Sequence, residues 1–279
     1  AGYAVADLWA QTARRWQDVA PLTGVTPGDA YQLHQAVVGA WPLDLSASHG
    51  EGLAALRERL AGWWRKALRE AKLRSSWAMP NEAYEAACVR YLERILAPNS
   101  DFLGEAVPFI SRIAPAGVAK SLAQTLLKLA IPGVPDIYQG TEGWDFSLVD
   151  PDNRRPVDYA ARRSWIEQAE DAADWRRGAL KASLIARLLE ERRRRPDLFA
   201  SGDYRPLPIE GVRAGEALAF VRGRDDAELL VVCAVRGSQA CIDAEDAAPG
   251  AAWWGDTRVA GRSVAELTQG RAVGWRLEG

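Results

Sequence analysis

Apolar residues recur at three- and four-residue spacing through most of the first 130 positions, whereas beyond Pro196 the period drops to two. The first pattern predicts amphipathic helices and the second predicts strands. Ala1 to Ala20 reads as a helix-and-loop stretch. Asp29 is expected to cap a helix through Leu33, Val37 and Val38 to Trp41, ended by Pro42. Between Glu51 and Lys72, residues Leu53, Leu56, Leu60, Trp63, Trp64, Ala67 and Ala71 line one helical face. Asn81 opens a third helix, with Tyr84, Cys88, Tyr91, Leu92 and Ile95 on one side and a stop at Pro98. A fourth begins after Ser100 and carries Phe102, Leu103, Val107, Phe109, Ile110 and Ile113. Pro108 lacks an N–H and is expected to kink or split it.

From Ala116 a helix bearing Leu122, Leu126, Leu127 and Leu129 leads to Pro132-Gly133, and Val134 to Tyr138 reads as a short strand. Apolar helix, glycine turn and short strand together suggest a parallel sheet with a site at the strand's carboxyl end. A long loop, Gln139 to Asp158, follows. Helices are then predicted near Tyr159 to Glu170 and Trp175 to Arg195, the latter burying Leu180, Leu184, Leu188 and Leu189. Tyr204 to Ile209, Ala217 to Arg222, Glu228 to Val235, Trp253 to Val259 and Val273 to Leu277 are strand candidates of a small antiparallel β domain.

Composition narrows the function classes. The 279 residues carry 35 Lys plus Arg against 37 Asp plus Glu, a net charge of −2. No polybasic field is available, so neither nucleic acid nor an anionic membrane is the expected partner. The Arg192-Arg193-Arg194-Arg195 run falls at a predicted helix C-terminus, where cations interact favourably with the helix dipole. The longest apolar run, Leu229 to Val235, falls far short of the ~20 residues of a membrane-spanning helix. Three cysteines without a C-x-x-C pair suggest neither a disulfide framework nor a zinc site, and fit a reducing cytoplasm. Position 1 is not Met and no signal segment is evident, so a piece of a longer polypeptide is expected. The 12 tryptophans suit stacking on sugar rings and suit wedging between helices.

Polar chemistry concentrates between Tyr138 and Tyr159, which hold four aspartates, one glutamate and two adjacent arginines among prolines. Carboxylates accept and guanidinium groups donate in fixed geometry, a set suited to hydroxyl recognition. The competing reading is a rigid loop whose Arg and Asp pair internally, with Asp150, Asp152 and Asn153 bonding their own backbone. Position after a barrel-like strand favours binding. The substrate-binding candidates are therefore Tyr138, Gln139, Glu142, Asp150, Asp152, Arg154 and Arg155. His34, mid-helix among apolar residues, reads as a packed imidazole, and neither it nor His49 forms a triad by spacing. No glycine pattern matches a phosphate loop. No cofactor and no metal are expected.

The run Leu129 to Glu142, containing Gly133-Val134-Pro135-Asp136-Ile137-Tyr138-Gln139-Gly140-Thr141-Glu142, resembles the eighth barrel strand of glycoside hydrolase family 13, the α-amylase superfamily. Leu148 to Tyr159 is more particular and resembles the maltooligosyltrehalose synthase family within it. So do Val38 to Pro42, Lys66 to Lys72, Ser76-Trp77 and Pro80 to Glu85, all in the same order, and Arg195 to Phe199 with Gly202-Asp203-Tyr204 extends the similarity. Departures are local: His34 stands where Tyr is expected, and Ala78-Met79 where Thr-Asn is commoner.

The resemblance implies an α+β fragment in three parts. Residues 1–115 would be a helical insertion module. Residues 116–200 would be the last strand and helices of a (β/α)8 barrel, and 201–279 a C-terminal antiparallel β-sandwich domain. It also implies that the nucleophilic Asp, the acid/base Glu and the third Asp lie on strands upstream of this chain, so no catalytic residue is assigned here. The expected partners are a maltooligosaccharide substrate and the missing N-terminal part of the enzyme, with self-association of the fragment through an unpaired strand. A non-catalytic carbohydrate-binding or interaction module is the alternative.

Overall fold

The computed structural model describes residues 4–167 and 174–278. These form two compact units: residues 4–112 with 146–156, and residues 113–145 with 157–167 and 174–278.

The first unit is helical, with α1 (Ala4–Val19), α2 (Pro27–Ala40), α3 (Gly50–Ala71), α4 (Glu82–Ile95) and the first part of α5 (Asp101–Ala130). The cap of α2 is Thr26 rather than Asp29: Thr26 Oγ1 accepts from the Asp29 N–H at 3.3 Å while Pro27 occupies the first turn. A proline there loses no helical hydrogen bond and its φ is already helical. Asn81 caps α4 by accepting from Tyr84 N–H at 3.1 Å. Lys72 ends α3 in the left-handed region, φ 58°. Trp16, Leu33, Leu53, Leu56, Leu60, Trp64, Tyr91 and Phe102 are buried in this unit. Trp16 meets His34, Phe102 and Phe109 at ring-centroid distances of 5.6, 5.2 and 5.6 Å.

Helix α5 corrects one expectation. Pro108 neither splits it nor separates it from the helix read after Ala116, for all 30 residues run as one helix. A proline inside a helix costs about 3 kcal/mol. Burial of Phe102, Leu103 and Ala106 before Pro108, and of Phe109, Ile110, Leu122, Leu126 and Leu129 after it, offsets that. The division between the two units falls inside this helix.

The second unit contains α6 (Tyr159–Glu167), α7 (Ala179–Arg194), α8 (Pro196–Ser201) and the strands β1 (Asp203–Pro206), β2 (Ile209–Glu210), β3 (Ala217–Arg224) and β4 (Ala227–Ala234). Then follow α9 (Ser238–Ala244), α10 (Ala251–Trp254), β5 (Arg258–Val259), β6 (Arg262–Ser263), α11 (Val264–Thr268) and β7 (Val273–Glu278). Residues beyond Glu167 in the helix expected to reach Glu170 lie outside the described residues. Two antiparallel sheets form, ordered β1-β3-β4-β7 and β2-β5-β6. In the first, Phe220 faces Val231 across the ladder and Val231 faces Trp275. Leu126, Leu129, Leu188, Leu198, Phe199, Phe220, Leu229 and Val231 make one core cluster.

Three strand expectations change. Tyr204 to Ile209 divides between β1 and β2 in different sheets, because Pro206 and Pro208 cannot donate to a continuous ladder. Residues 253 and 254 end the short helix α10, with the Trp254 indole buried and donating to Arg271 O at 3.0 Å. Val134 to Tyr138 pairs with no strand among the described residues. A strand is held by a ladder partner, and without one Val134 is 97% exposed and Ile131 and Tyr138 are exposed as well.

One buried cation fixes how α5 ends. Arg222, 1% exposed, donates to the carbonyls of Ala130, Leu198, Phe199 and Gly202 at 2.9–3.1 Å. Arg192 adds donations to Leu129 O at 2.7 Å and Gly133 O at 3.3 Å. Two guanidinium groups thus satisfy carbonyls at the negative end of the α5 dipole and anchor the segment that leads to Tyr138.

Candidate functional site

The polar loop belongs partly to each unit. In the first unit, residues 146–156 lie against α3, whose Arg59 and Lys66 are seven positions apart and share a face. Arg59 grips Asp152 in a two-pronged pair, Nε to Oδ1 and Nη2 to Oδ2 both at 2.9 Å, and also donates to Phe146 O. Asp152 further accepts from the Leu148 N–H at 2.7 Å and lies 3.1 Å from Arg155 Nε. The carboxylate is buried at 8% exposure. Burial pushes its pKa up, but the Arg59 and Leu148 hydrogen bonds and the two guanidinium charges outweigh this and leave it below the usual 3.8.

Arg155 also donates to Asp152 O at 3.0 Å and Ser147 Oγ at 3.2 Å. Asp152 is therefore taken up by Arg59 and by the loop itself, and Arg155, its side chain 49% exposed, bonds back to the loop around a 3-10 turn at Asp152–Arg154 and a cis Asp150-Pro151 bond. Asp150 and Arg154 differ. Lys66 Nζ contacts Asp150 O at 2.9 Å and Asp150 Oδ1 at 3.1 Å, and Arg154 meets the other carboxylate oxygen at 3.3 Å. The Lys66 hydrogen bond and charge lower the Asp150 pKa. Yet the Asp150 and Arg154 side chains are 47% and 69% exposed, so both keep free valences toward solvent. The resulting arrangement is a buried brace carrying an exposed acceptor and an exposed donor.

In the second unit, Glu142 takes a hydrogen bond from Arg162 Nε at 3.2 Å, while Arg162 holds Gly140 O at 2.8 Å and Asp158 O at 2.9 Å. Lys181, on α7, donates to Gly143 O at 3.1 Å, and burial lowers its pKa. Gly143 is required where it stands, because a Cβ there would meet the Trp165 ring at 2.5 Å. Tyr138 and Gln139 are exposed, and Tyr138 O accepts from the Thr141 N–H at 3.0 Å and its hydroxyl at 2.7 Å. Among the described residues no cluster of three or more His, Cys, Asp or Glu side chains could hold a metal ion.

Sequence reasoning missed Arg59, Lys66, Arg162 and Lys181, each 20 or more residues from its partner. The available signal was the shared helical face of Arg59 and Lys66, opposite a loop rich in aspartate.

No protein-family model matches the chain. A Mycobacterium tuberculosis H37Rv protein provisionally named maltooligosyl trehalose synthase is 38% identical over 218 residues, covering 78% of this chain and 26% of that protein. Maltooligosyltrehalose synthase from Arthrobacter ramosus superposes with a TM-score of 0.74 at 33% identity, covering 96% of this chain and 35% of that one. A point mutant of the same enzyme gives 0.76 at 32% identity over 99% and 36%. A hypothetical maltooligosyl trehalose synthase from Sulfolobus tokodaii gives 0.66 at 29% identity over 82% and 30%. The mixed helical and antiparallel-sheet fold matches the C-terminal part of these synthases, which are glycoside hydrolase family 13 proteins. Within that superfamily the chain belongs to the maltooligosyltrehalose synthase family, whose C-terminal part it matches. It spans about a quarter to a third of the length of the relatives it matches.

Proposed function

We propose that this chain is the C-terminal portion of an intramolecular transglycosylase. The whole polypeptide would convert the reducing-end α-1,4 linkage of a maltooligosaccharide to an α,α-1,1 linkage. The route is a retaining double displacement: an enzyme carboxylate attacks the anomeric carbon, the C4 oxygen of the terminal glucose leaves with a proton, and that glucose turns over. Its own anomeric hydroxyl then displaces the carboxylate. Water must be kept out during the turn or hydrolysis wins. The three carboxylates that run this chemistry would come from upstream of this chain, which is then inactive alone. The observation that carries the reading is the relationship at 38% identity over 78% of the chain.

Within that enzyme, residues 1–115 are the helical insertion, 116–200 complete the barrel and 201–279 form the β-sandwich. The exposed apolar run Ile131 to Tyr138 is the eighth strand, which pairs once its neighbours are present; in the isolated fragment the same face favours self-association. Asp150 accepts from sugar hydroxyls and Arg154 donates to them. Tyr138, Gln139 and Glu142 are further substrate-binding candidates, while Asp152 and Arg155 hold the loop in shape. No cofactor or nucleic acid takes part. No helix among the described residues is long and apolar enough to cross a membrane, and the three free, buried thiols of Cys88, Cys233 and Cys241 support a reducing cytoplasm.

The test expresses the source gene's whole polypeptide and this chain separately and incubates each with maltopentaose. Loss of reducing ends without glucose release is expected from the whole polypeptide and no turnover from the chain. Product formed by the chain, or none by the whole polypeptide, would overturn the reading. Either result would favour a binding module or misplaced catalytic groups.

A further inference from the structure

Two cations meet the Asp150 carboxylate, and the better shielded of them is the Lys66 ammonium. The Lys66 side chain is 22% exposed, against 69% for Arg154. Its other acidic neighbour, Glu70, stands 3.9 Å away, beyond hydrogen-bonding reach. Lys66 Nζ donates instead to two oxygens of one residue, Asp150 O at 2.9 Å and Asp150 Oδ1 at 3.1 Å. This double hold closes a small ring through the carbonyl carbon, Cα, Cβ and the carboxyl carbon of Asp150. The side chain cannot leave its rotamer without breaking one of the two bonds. Arg154 Nη2 takes the second carboxylate oxygen, Oδ2, at 3.3 Å. An ionised carboxylate offers about four lone-pair sites, so capacity for a further donor remains.

The loop does not need this hold to stay in place. Arg59 already fastens Asp152 through two bonds of 2.9 Å, and Asp152 accepts from the Leu148 N–H at 2.7 Å. With the chain fixed two residues further on, what Lys66 adds is local: the direction and the charge of one carboxylate. We infer that Lys66 is a positioning residue for the sugar contact of Asp150, acting through that carboxylate by aiming it before substrate arrives. This rests on the glucan reading proposed above, in which Asp150 accepts from a sugar hydroxyl, and adds the residue that orients it. An acceptor already held in its bonding direction loses less conformational freedom when the hydroxyl arrives, so more of the bond's strength is realised in binding and turnover.

The experiment measures kcat/KM on maltopentaose, together with Tm, for the whole polypeptide and its Lys66→Met, Asp150→Ala and double variants. Asp150→Ala should lower the efficiency roughly ten- to a hundred-fold, as a lost charged contact does. Lys66→Met should lower it about five- to ten-fold, the order of freeing one side chain. In the Asp150→Ala background the same change should cost less than about two-fold more, because the carboxylate it acts through is gone. Lys66→Arg should stay within about two-fold of the parent, since guanidinium N–H groups can serve both oxygens. A merely structural lysine would instead multiply its loss with that of Asp150→Ala and lower Tm in step. Multiplied losses, no recovery in Lys66→Arg, or parental efficiency in folded Lys66→Met or Asp150→Ala would overturn the positioning role. Lys66→Gln supplies the same cycle if Lys66→Met fails to fold. A parent polypeptide that makes the non-reducing product alongside any of these results removes the positioning role alone, whereas a parent that makes none removes the glucan reading and this inference with it.

Discussion

Replacing Asp152 by Asn tests whether a buried ion pair holds the candidate loop. Asp152 accepts two bonds from Arg59 and one from the Leu148 N–H, and the Arg59 and Asp152 side chains are 15% and 6% exposed. The amide keeps the shape but removes the charge, so Arg59 is left mostly buried without a counter-ion. Breaking a buried pair from one side costs about 3–5 kcal/mol. The lower end applies here because Arg59 keeps Phe146 O as a partner. A loss of about 3 kcal/mol is therefore expected in urea unfolding at pH 7, read as a lowered midpoint with an unchanged slope. The pH dependence has a definite sign. The folded-state pKa of Asp152 lies below its ordinary 3.8, so the stabilisation is full above that value and is lost as pH falls through the folded pKa. The gap between the two proteins should accordingly narrow below about pH 4. A difference under about 0.5 kcal/mol at pH 7, within the usual range for surface substitutions, would refute the brace.

Two further outcomes follow from buried groups. His34, at 1% exposure, hydrogen-bonds Tyr91 Oη at 2.9 Å, and burial lowers its pKa from 6.5 to about 4; the unfolded chain then binds the extra proton. Stability is full above pH 6.5 and falls by about 3 kcal/mol towards pH 4, a slope that urea titrations of His34→Gln should lack. Arg222→Met should cost about 3 kcal/mol, because the carbonyls of Ala130 and Phe199 lose the guanidinium donor in the interior, while Leu198 O keeps the Gly202 N–H. Amide exchange at the end of α5 should quicken with it, and exchange unchanged from the parent protein would dismiss the anchor.

Much of the fold was legible because helix signals are local. Asn81 announced α4, and the spacing of Leu53, Leu56, Leu60 and Trp64 announced the buried face of α3. Errors arose where tertiary contacts outvoted local grammar. Burial on both sides of Pro108 kept α5 continuous, and Trp254 was read as strand although its burial and its bond to Arg271 O belong to a helical turn. Val134 to Tyr138 carries strand composition, but a strand exists only with a ladder partner. In the site, Asp150, Asp152, Arg154 and Arg155 stood out by density. Their division into Asp152 and Arg155 within the brace and Asp150 and Arg154 facing solvent did not, since it depends on Arg59 and Lys66, more than 80 residues away in sequence.

The claim that Arg154 meets sugar from a rigid loop is tested most directly by steady-state kinetics of the whole polypeptide carrying Arg154→Ala. The Arg154 side chain is 69% exposed and its 3.3 Å pair with Asp150 lies at the surface, so its removal should change stability by less than about 1 kcal/mol. A charged hydrogen bond to substrate is worth about 1.5–3 kcal/mol. The account therefore predicts an efficiency, kcat/KM on maltopentaose, lowered roughly ten- to a hundred-fold at an unchanged Tm. Normal efficiency in a fully folded Arg154→Ala enzyme would contradict it.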